Sequence, residues 1–427
     1  MGTPDDGTEA DTGTETESET DMGTETETET DTGTETETET DPEANANHTT
    51  DSDDVDVDYH RLLGIGDAAF ASLEPHLQQR NYEGLEYRHV PDYRRGVERG
   101  TVLIDGEVVR GFPKVPRTLV LETGIPTQFD EHEQVAVEEK LNGYNVRVAR
   151  IHGEQLAFSR SGMVCPFTTR LLRRLVDLAA LFEEYPKAMV CGEIIGPENP
   201  YTAHEYPDVD SIAFRAFDWR DRESGKPLPI RERRERYEAF GVPQTPLFEI
   251  VDVDDAAASV QELIHELDAE DREGVILQSL DGDTLLKYTT SASTNSDLAY
   301  AFSLPFDYGQ AFMFRRLLRE GYQTVEWDED DEAARERAHE LGESILCSMR
   351  EAIQSVEDGD TLGERHTVRA SDETIDVLFE HLRGQGLTID IEDDFHEDGD
   401  RVVTFCKRTP SSNDTIRNYL DGHIVRE

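Results

Sequence analysis

A chain of 427 residues with 94 acidic and 41 basic side chains carries a formal charge of −53, and is long enough for roughly two to four domains with a sizeable core. No run of 18 apolar residues occurs, and the N-terminus has neither a basic n-region nor an apolar h-region; this excludes a spanning helix and a secretory signal and reads as a soluble, cytoplasmic protein. Cys165, Cys191, Cys347 and Cys406 lack CxxC spacing and the 13 histidines lack ligand spacing, so the expectation is buried thiols in a reducing compartment and no structural zinc.

In chain order, residues 1–58 hold 22 acidic residues and no Lys or Arg, and three decapeptides in 11–40 alternate Thr and Glu around Gly. Such a segment cannot bury apolar surface and is expected to be a disordered acidic tail. The remaining 369 residues still hold 72 acidic against 41 basic side chains, and only six of the basic residues are lysines. An acid-rich, lysine-poor surface suits a cytosol at molar salt, as in haloarchaea. There the Debye length is about 3 Å, so the net charge does not bar an anionic partner.

An N-terminal β-rich domain is expected over 59–134: a helix "DAAFASLEPHLQQ" (67–79), then strands in "GTVLIDGEVVRGFPKVPRTLVLE" (100–122) with Asp105-Gly106 as a hairpin turn. A catalytic domain follows over 135–297. Its strands are "VAVEEKL", then "NVRVARI" and "EQLAFS" turning at His152-Gly153, "AMVCGEIIG", "SIAFRAFDW", "GVILQSL" and "TLLKYTT". One helix is expected over "TTRLLRRLVDLAALFEEY", with Leu171, Leu175, Leu178 and Phe182 on one face and Thr168 or Thr169 as N-cap. Residues 298–362 read as helical and as the dimerisation segment, with Ala334, Ala338, Leu341, Ile345, Met349 and Ile353 in one stripe. Residues 363–427 read as a small β-α-β-β domain whose helix starts at Ser371. Strands and helices without a βαβ rhythm give an α+β fold with antiparallel sheets.

The most informative stretch is "EEKLNGYNVRV" (138–148). A lysine at a strand-to-turn edge, followed by Asn142 and Gly143, fits a covalent nucleophile beside a backbone that admits a nucleotide closely; a salt-bridged surface lysine is the plain alternative. The companions decide between them. "KLNG" with Lys140, "SRSG" with Arg160, "CGEIIGPENPY" with Glu193, "FRAFDW" with Phe217 and Asp218, "REGVILQ" with Glu273 and "LLKYTT" with Lys287 resemble, in order, the motifs of the covalent nucleotidyltransferases: RNA and DNA ligases and capping enzymes. The stretch 59–427 resembles the archaeal ATP-dependent RNA ligases in particular, a homodimeric group.

The resemblance implies an antiparallel-sheet nucleotidyltransferase core, ATP-grasp-like, that joins 5′-phosphate and 3′-OH ends of RNA, with single-stranded 5′-phosphorylated RNA as partner and circularisation as one outcome. It implies Lys140 as the residue adenylylated by ATP, Glu273 as the Mg²⁺ (or Mn²⁺) ligand and Lys287 on the α-phosphate. The nucleotide would be held by Asn142, Gly143, Arg160, Glu193 on the ribose, Phe217 on adenine, and Asp218. Two departures stand out. Leu285 occupies the place where many relatives have the first lysine of a KxK pair, and no five-stranded barrel pattern follows residue 297. The alternatives are a DNA ligase and a non-catalytic nucleic-acid-binding relative.

Overall fold

The computed structural model describes residues 58–424; the Thr/Glu repeats expected to be disordered lie outside them. Helices α1 (Tyr59–Leu62) and α2 (Asp67–Leu73) precede a meander of β1 (Gln78–Tyr82), β2 (Leu85–His89), β3 (Val102–Ile104) and β4 (Glu107–Val109), followed by α3 (Leu121–Gln128). The helix expected over 67–79 is cut short. Pro75 lacks an amide hydrogen to continue it, a single 3₁₀ turn spans Glu74–His76, and the chain is extended again by Gln78. The Asp105-Gly106 hairpin is present, both residues having positive φ.

The central domain runs β5 (Gln134–Lys140), β6 (Tyr144–Ile151), β7 (Glu154–Ser159), α4 (Pro166–Leu175), α5 (Ala179–Glu184), β8 (Ala188–Ile195), β9 (Ala213–Asp221), α6 (Ile230–Ala239), β10 (Leu247–Asp252), α7 (Val253–Ala269), β11 (Gly274–Ser279) and β12 (Leu285–Thr289). The strands form two antiparallel sheets, β10-β5-β11-β12 and β7-β6-β8-β9. Three residues, Leu141 to Gly143, carry the chain from the first sheet to the second. Lys140 therefore sits at the rim between them. The single helix expected over 168–185 is two helices: α4 begins earlier, with Cys165 Sγ accepting from the Thr168 amide as N-cap, and the Asp177 carboxylate takes the Ala179 amide where the chain breaks.

The C-terminal third holds α8 (Ser291–Ser303), α9 (Gln310–Glu326), α10 (Asp331–Gly342), a π-turn at Glu343–Cys347 and α11 (Ser348–Asp358). Then come β13 (Gly363–Ala370), α12 (Asp372–Gly384), β14 (Ile389–Glu397), β15 (Asp400–Arg408) and α13 (Pro410–Leu420). Of the expected stripe, Ala334, Leu341, Ile345 and Met349 are partly buried and Ala338 and Ile353 exposed; the fully buried residues are Ala352 and Val356, against Ile416 of α13.

One apolar core joins the second sheet to the C-terminal unit: Val146, Val190 and Phe214 meet Phe167 and Leu171 of α4, then Leu378 of α12 and Phe405 of β15. Each such buried side chain contributes about 1.5–3 kcal/mol. A second core sets α7 (Val260, Ile264) under β5 and β11 (Val137, Val275). Buried in the C-terminal unit, His366 lies near Phe405, Glu364 and Lys407. Burial, helped by the Lys407 charge and opposed by Glu364, lowers its pKa from 6.5 to about 4. Below pH 6.5 the unfolded chain takes up this proton first, so stability falls with acidification down to the folded pKa. Urea unfolding at pH 7 and pH 5 is expected to show a loss from this residue of roughly 2 kcal/mol, absent from His366→Leu.

Candidate active site

β5 and β11 pair so that Lys140 faces Gly274. Glu273, one residue earlier, thereby meets the lysine: Lys140 Nζ donates to Glu273 Oε1 at 2.5 Å, both side chains being largely buried. Gly274 is required by this crossing, since its φ is +141° and a Cβ there would lie 2.3 Å from the Tyr288 carbonyl oxygen. Lys287, opposite Ile276 on β12, is 2 % exposed. Its amide donates to the Pro116 carbonyl at 2.9 Å, and its own carbonyl accepts from Thr118. The 112–118 segment thus flanks β12 and brings Phe112 and Val115 to the site.

Between the two sheets opens a cleft of about 710 Å³, counting its mouth, lined by Lys140, Arg160, Glu193, Phe217, Asp218 and Lys287 among others. Glu193 of β8 stands opposite Asn145 of β6. Phe217 forms a wall edge-to-face with Phe112, ring centroids 5.3 Å apart. Arg160 lies in the turn just past β7. Leu285 lines the cleft where the resemblance placed a lysine, so the wall there is apolar.

Three of the expected residues are also held by contacts within the chain. Asn142 is gripped through its backbone, its amide donating to Tyr206 Oη at 2.7 Å and its carbonyl accepting from the same hydroxyl at 3.3 Å. A Cβ on Gly143 would fall 2.3 Å from the Ile194 carbonyl oxygen and 2.9 Å from Glu193 Cγ. Its lack of a side chain serves close approach to β8, beside Glu193. Asp218 is 1 % exposed and already engaged: Oδ2 accepts from Arg220 Nε at 2.6 Å, Oδ1 from the Trp219 amide at 2.8 Å, and Arg233 lies 3.8 Å away.

Sequence reasoning missed the bracing around Lys140. Glu138 is held by Arg233 at 2.5 Å and Arg234 at 2.8 Å, and Arg233 also bonds Gln278 and the Phe217 carbonyl. Burial depresses the Arg233 pKa, but Glu138 and Asp218 outweigh it and hold the guanidinium charged. Glu139 pairs with Arg272, which in turn stacks over Tyr206; burial raises the Glu139 pKa against the pull of Arg272. The signal was in the sequence: two consecutive carboxylates in an apolar strand each require a cation. Asn145 was also missed. Its Oδ1 is buried in the cleft wall without a hydrogen-bond partner among the described residues, which leaves an acceptor open to a ligand hydroxyl or amino group.

The cleft thus brings together an amine at the rim, a second buried lysine, an arginine, an aromatic wall and a carboxylate. The RNA ligase family profile matches residues 133–289, and that of the Pab1020 ligase C-terminal region matches 300–423. An uncharacterised protein of Methanocaldococcus jannaschii is 36 % identical over 375 residues, 85 % of this chain and 94 % of that one. Two solved structures of an archaeal ATP-dependent RNA ligase, described as forms 1 and 2, superpose with TM-score 0.80 at 37 % identity, covering 86 % of this chain and 98 % of theirs. A candidate ATP-dependent DNA ligase of Aquifex aeolicus gives 0.77 at 25 %, covering 84 % and 99 %.

The Arg233 bracing carries a stability prediction. Arg233→Met leaves the Glu138 and Asp218 carboxylates buried with less compensation, and urea unfolding is expected to show a loss of about 3–5 kcal/mol. Arg335→Ala, which breaks an exposed pair with Asp331, is expected to change nothing measurable.

Proposed function

This chain belongs to the archaeal ATP-dependent RNA ligases, and from that premise we propose that it joins RNA ends through a covalent lysyl-AMP. The observation that carries the reading is Lys140 Nζ at the rim of the cleft, against Glu273, with Lys287 in the same cleft. Lys140 Nζ attacks the α-phosphorus of ATP; the P–N bond forms as the bond to pyrophosphate breaks. The AMP passes to the 5′-phosphate of RNA, restoring the amine, and the 3′-OH then attacks that phosphate and expels AMP. The amine must be neutral to attack, so its proton leaves before the P–N bond forms.

The other residues bind and orient. Phe217 offers a face for adenine, Glu193 and Asn145 accept from the ribose, and Lys287 stabilises charge developing on the α-phosphate. Arg160, a planar fork at the cleft edge, suits the incoming 5′-phosphate. Asp218 acts as a positioning residue, anchoring β9 through Arg220 and Arg233. Among the described residues no three side chains form a metal-ligand cluster. The Glu273 carboxylate nevertheless suits Mg²⁺ or Mn²⁺, since Mg²⁺ takes one or two carboxylates and completes its shell with phosphate oxygens and water. When bound, such an ion neutralises phosphate charge.

Single-stranded, 5′-phosphorylated RNA and its circularisation complete the reading, together with activity in molar salt, which the acidic composition supports. No helix among the described residues is long and apolar enough to cross a membrane. The proposed homodimer contact is α9. Phe314, Leu318, Tyr322 and Val325 recur along one helical face and are 38–79 % exposed, an unpaired apolar stripe.

Two experiments test this. With α-labelled ATP and Mg²⁺ across a KCl series, wild type is expected to take up acid-labile label that Lys140→Ala lacks, and 5′-phosphorylated single-stranded RNA is expected to discharge it in preference to nicked DNA. Folded wild type that stays unlabelled at every salt concentration excludes the covalent mechanism. Light scattering in molar KCl is expected to give a dimer mass, and a monomer mass for Leu318→Glu/Tyr322→Glu. A monomeric wild type refutes the α9 contact.

A further inference from the structure

Most of the arginines in the catalytic domain end on a carboxylate, as Arg220, Arg233, Arg234 and Arg272 do. The excursion between β2 and β3 differs. At its tip, Arg94 and Arg95 are exposed with no carboxylate partner among the described residues; the only side-chain contact of the pair is Arg95 Nε donating to Ser72 Oγ at 3.3 Å. Beside them Tyr93 is 70 % exposed. A large aromatic and two cations project together from a strongly acidic protein.

The tip is held in shape. Arg94 and Val97 exchange both backbone hydrogen bonds, at 3.1 and 3.0 Å, around Arg95 (φ 55°) and Gly96 (φ 80°). This is the turn for which Asn-Gly is the ordinary solution, and an arginine in its left-handed first position is strained. The base is rigid: Val90 and Val97 are fully buried, and Val90 and the Gly100–Thr101 backbone are hydrogen bonded.

The base also touches the active site. A Cβ on Gly100 would lie 2.1 Å from the Arg160 carbonyl oxygen, and the buried Arg147 guanidinium donates at 2.8 Å to both the Gly100 and Ser159 carbonyls. Tip and Arg160 turn are therefore parts of one body. Four residues separate Gly100 from Arg95, which places the tip within about 17 Å of Gly100.

Building on the ligase reading above, we infer that the Tyr93–Gly96 tip docks single-stranded RNA, Tyr93 stacking on a base while Arg94 and Arg95 hold neighbouring phosphates, and that it leads the 5′-phosphate end toward Arg160. Stacking tolerates any base and withstands salt, whereas phosphate attraction is screened. The two residue types together suit a ligase that works across a range of ionic strength.

The test is binding of a short 5′-phosphorylated single-stranded RNA by anisotropy across a KCl series. Tyr93→Ala is expected to weaken binding about tenfold. Arg94→Gln/Arg95→Gln is expected to reduce the slope of log K against log salt by about 1.4, two phosphate contacts on a single strand. Arg95→Gly separates strain from function: it is expected to raise the thermal midpoint and yet weaken RNA binding. Wild-type affinity and salt slope in all three variants overturns the inference, including the case of a tip that serves a protein partner instead. Labelling of wild type by ATP alone, run beside it, reports on the ligase reading separately, since that reaction needs no RNA.

Discussion

Three consecutive ionisable residues on one strand, Glu138, Glu139 and Lys140, constrain everything built around the cleft. The two glutamates are 2 % and 4 % exposed, and a carboxylate withdrawn from water without a partner costs several kcal/mol even after relaxation. Four side chains must therefore be delivered to β5. Arg233 and Arg234 come from α6, Arg272 from the turn before β11, and Glu273 from the residue after it. Because β5 and β11 pair in register, one two-residue step supplies a cation to Glu139 and an anion to Lys140. The bracing and the reactive pair are products of the same alignment.

The choice of cation is informative. The chain has 35 arginines and six lysines, and every basic residue that braces β5 is an arginine. A guanidinium stays charged when buried and fills a carboxylate with two parallel bonds. It is correspondingly useless as a nucleophile. Lysine can surrender its proton, and two of the six lysines line the cleft. In a sequence that avoids lysine, their meeting in one cleft supports the proposed roles of Lys140 as nucleophile and Lys287 as a cation on the α-phosphate.

That scarcity is also why so much of the site could be read from the sequence. Short apolar runs bounded by turn residues gave β5 to β9, β11 and β12, several of which are buried on both faces, and the ordered motifs picked out Lys140, Arg160, Glu193, Phe217, Glu273 and Lys287. Within the stretch 228–272, α6 was opaque for a physical reason. On α6, "IRERRERYEA", the inward residues include Arg233 as well as Ile230 and Tyr237, so the buried face does not stand out as apolar and the helical period is hidden. On α10 and α11 the apolar stripe was visible, but it does not say which flank meets α13; the packed residues are Ala352 and Val356, one position from the expected Ile353. Partner identity across a fold is a property of tertiary placement, and periodicity does not contain it.

The C-terminal unit closes the argument about rigidity. A domain that swings on and off a cleft needs an interface it can break, small and polar. Here β13, α12 and β15 share one uninterrupted apolar core with β6, β8 and β9. Arg369 adds a two-oxygen contact to Glu198 just beyond β8, and Lys407 lies over the Tyr201 ring. Separating these surfaces would expose side chains worth about 1.5–3 kcal/mol each, far too many for a motion repeated at every turnover. The unit is therefore a buttress, and what it supports is β8 with Glu193.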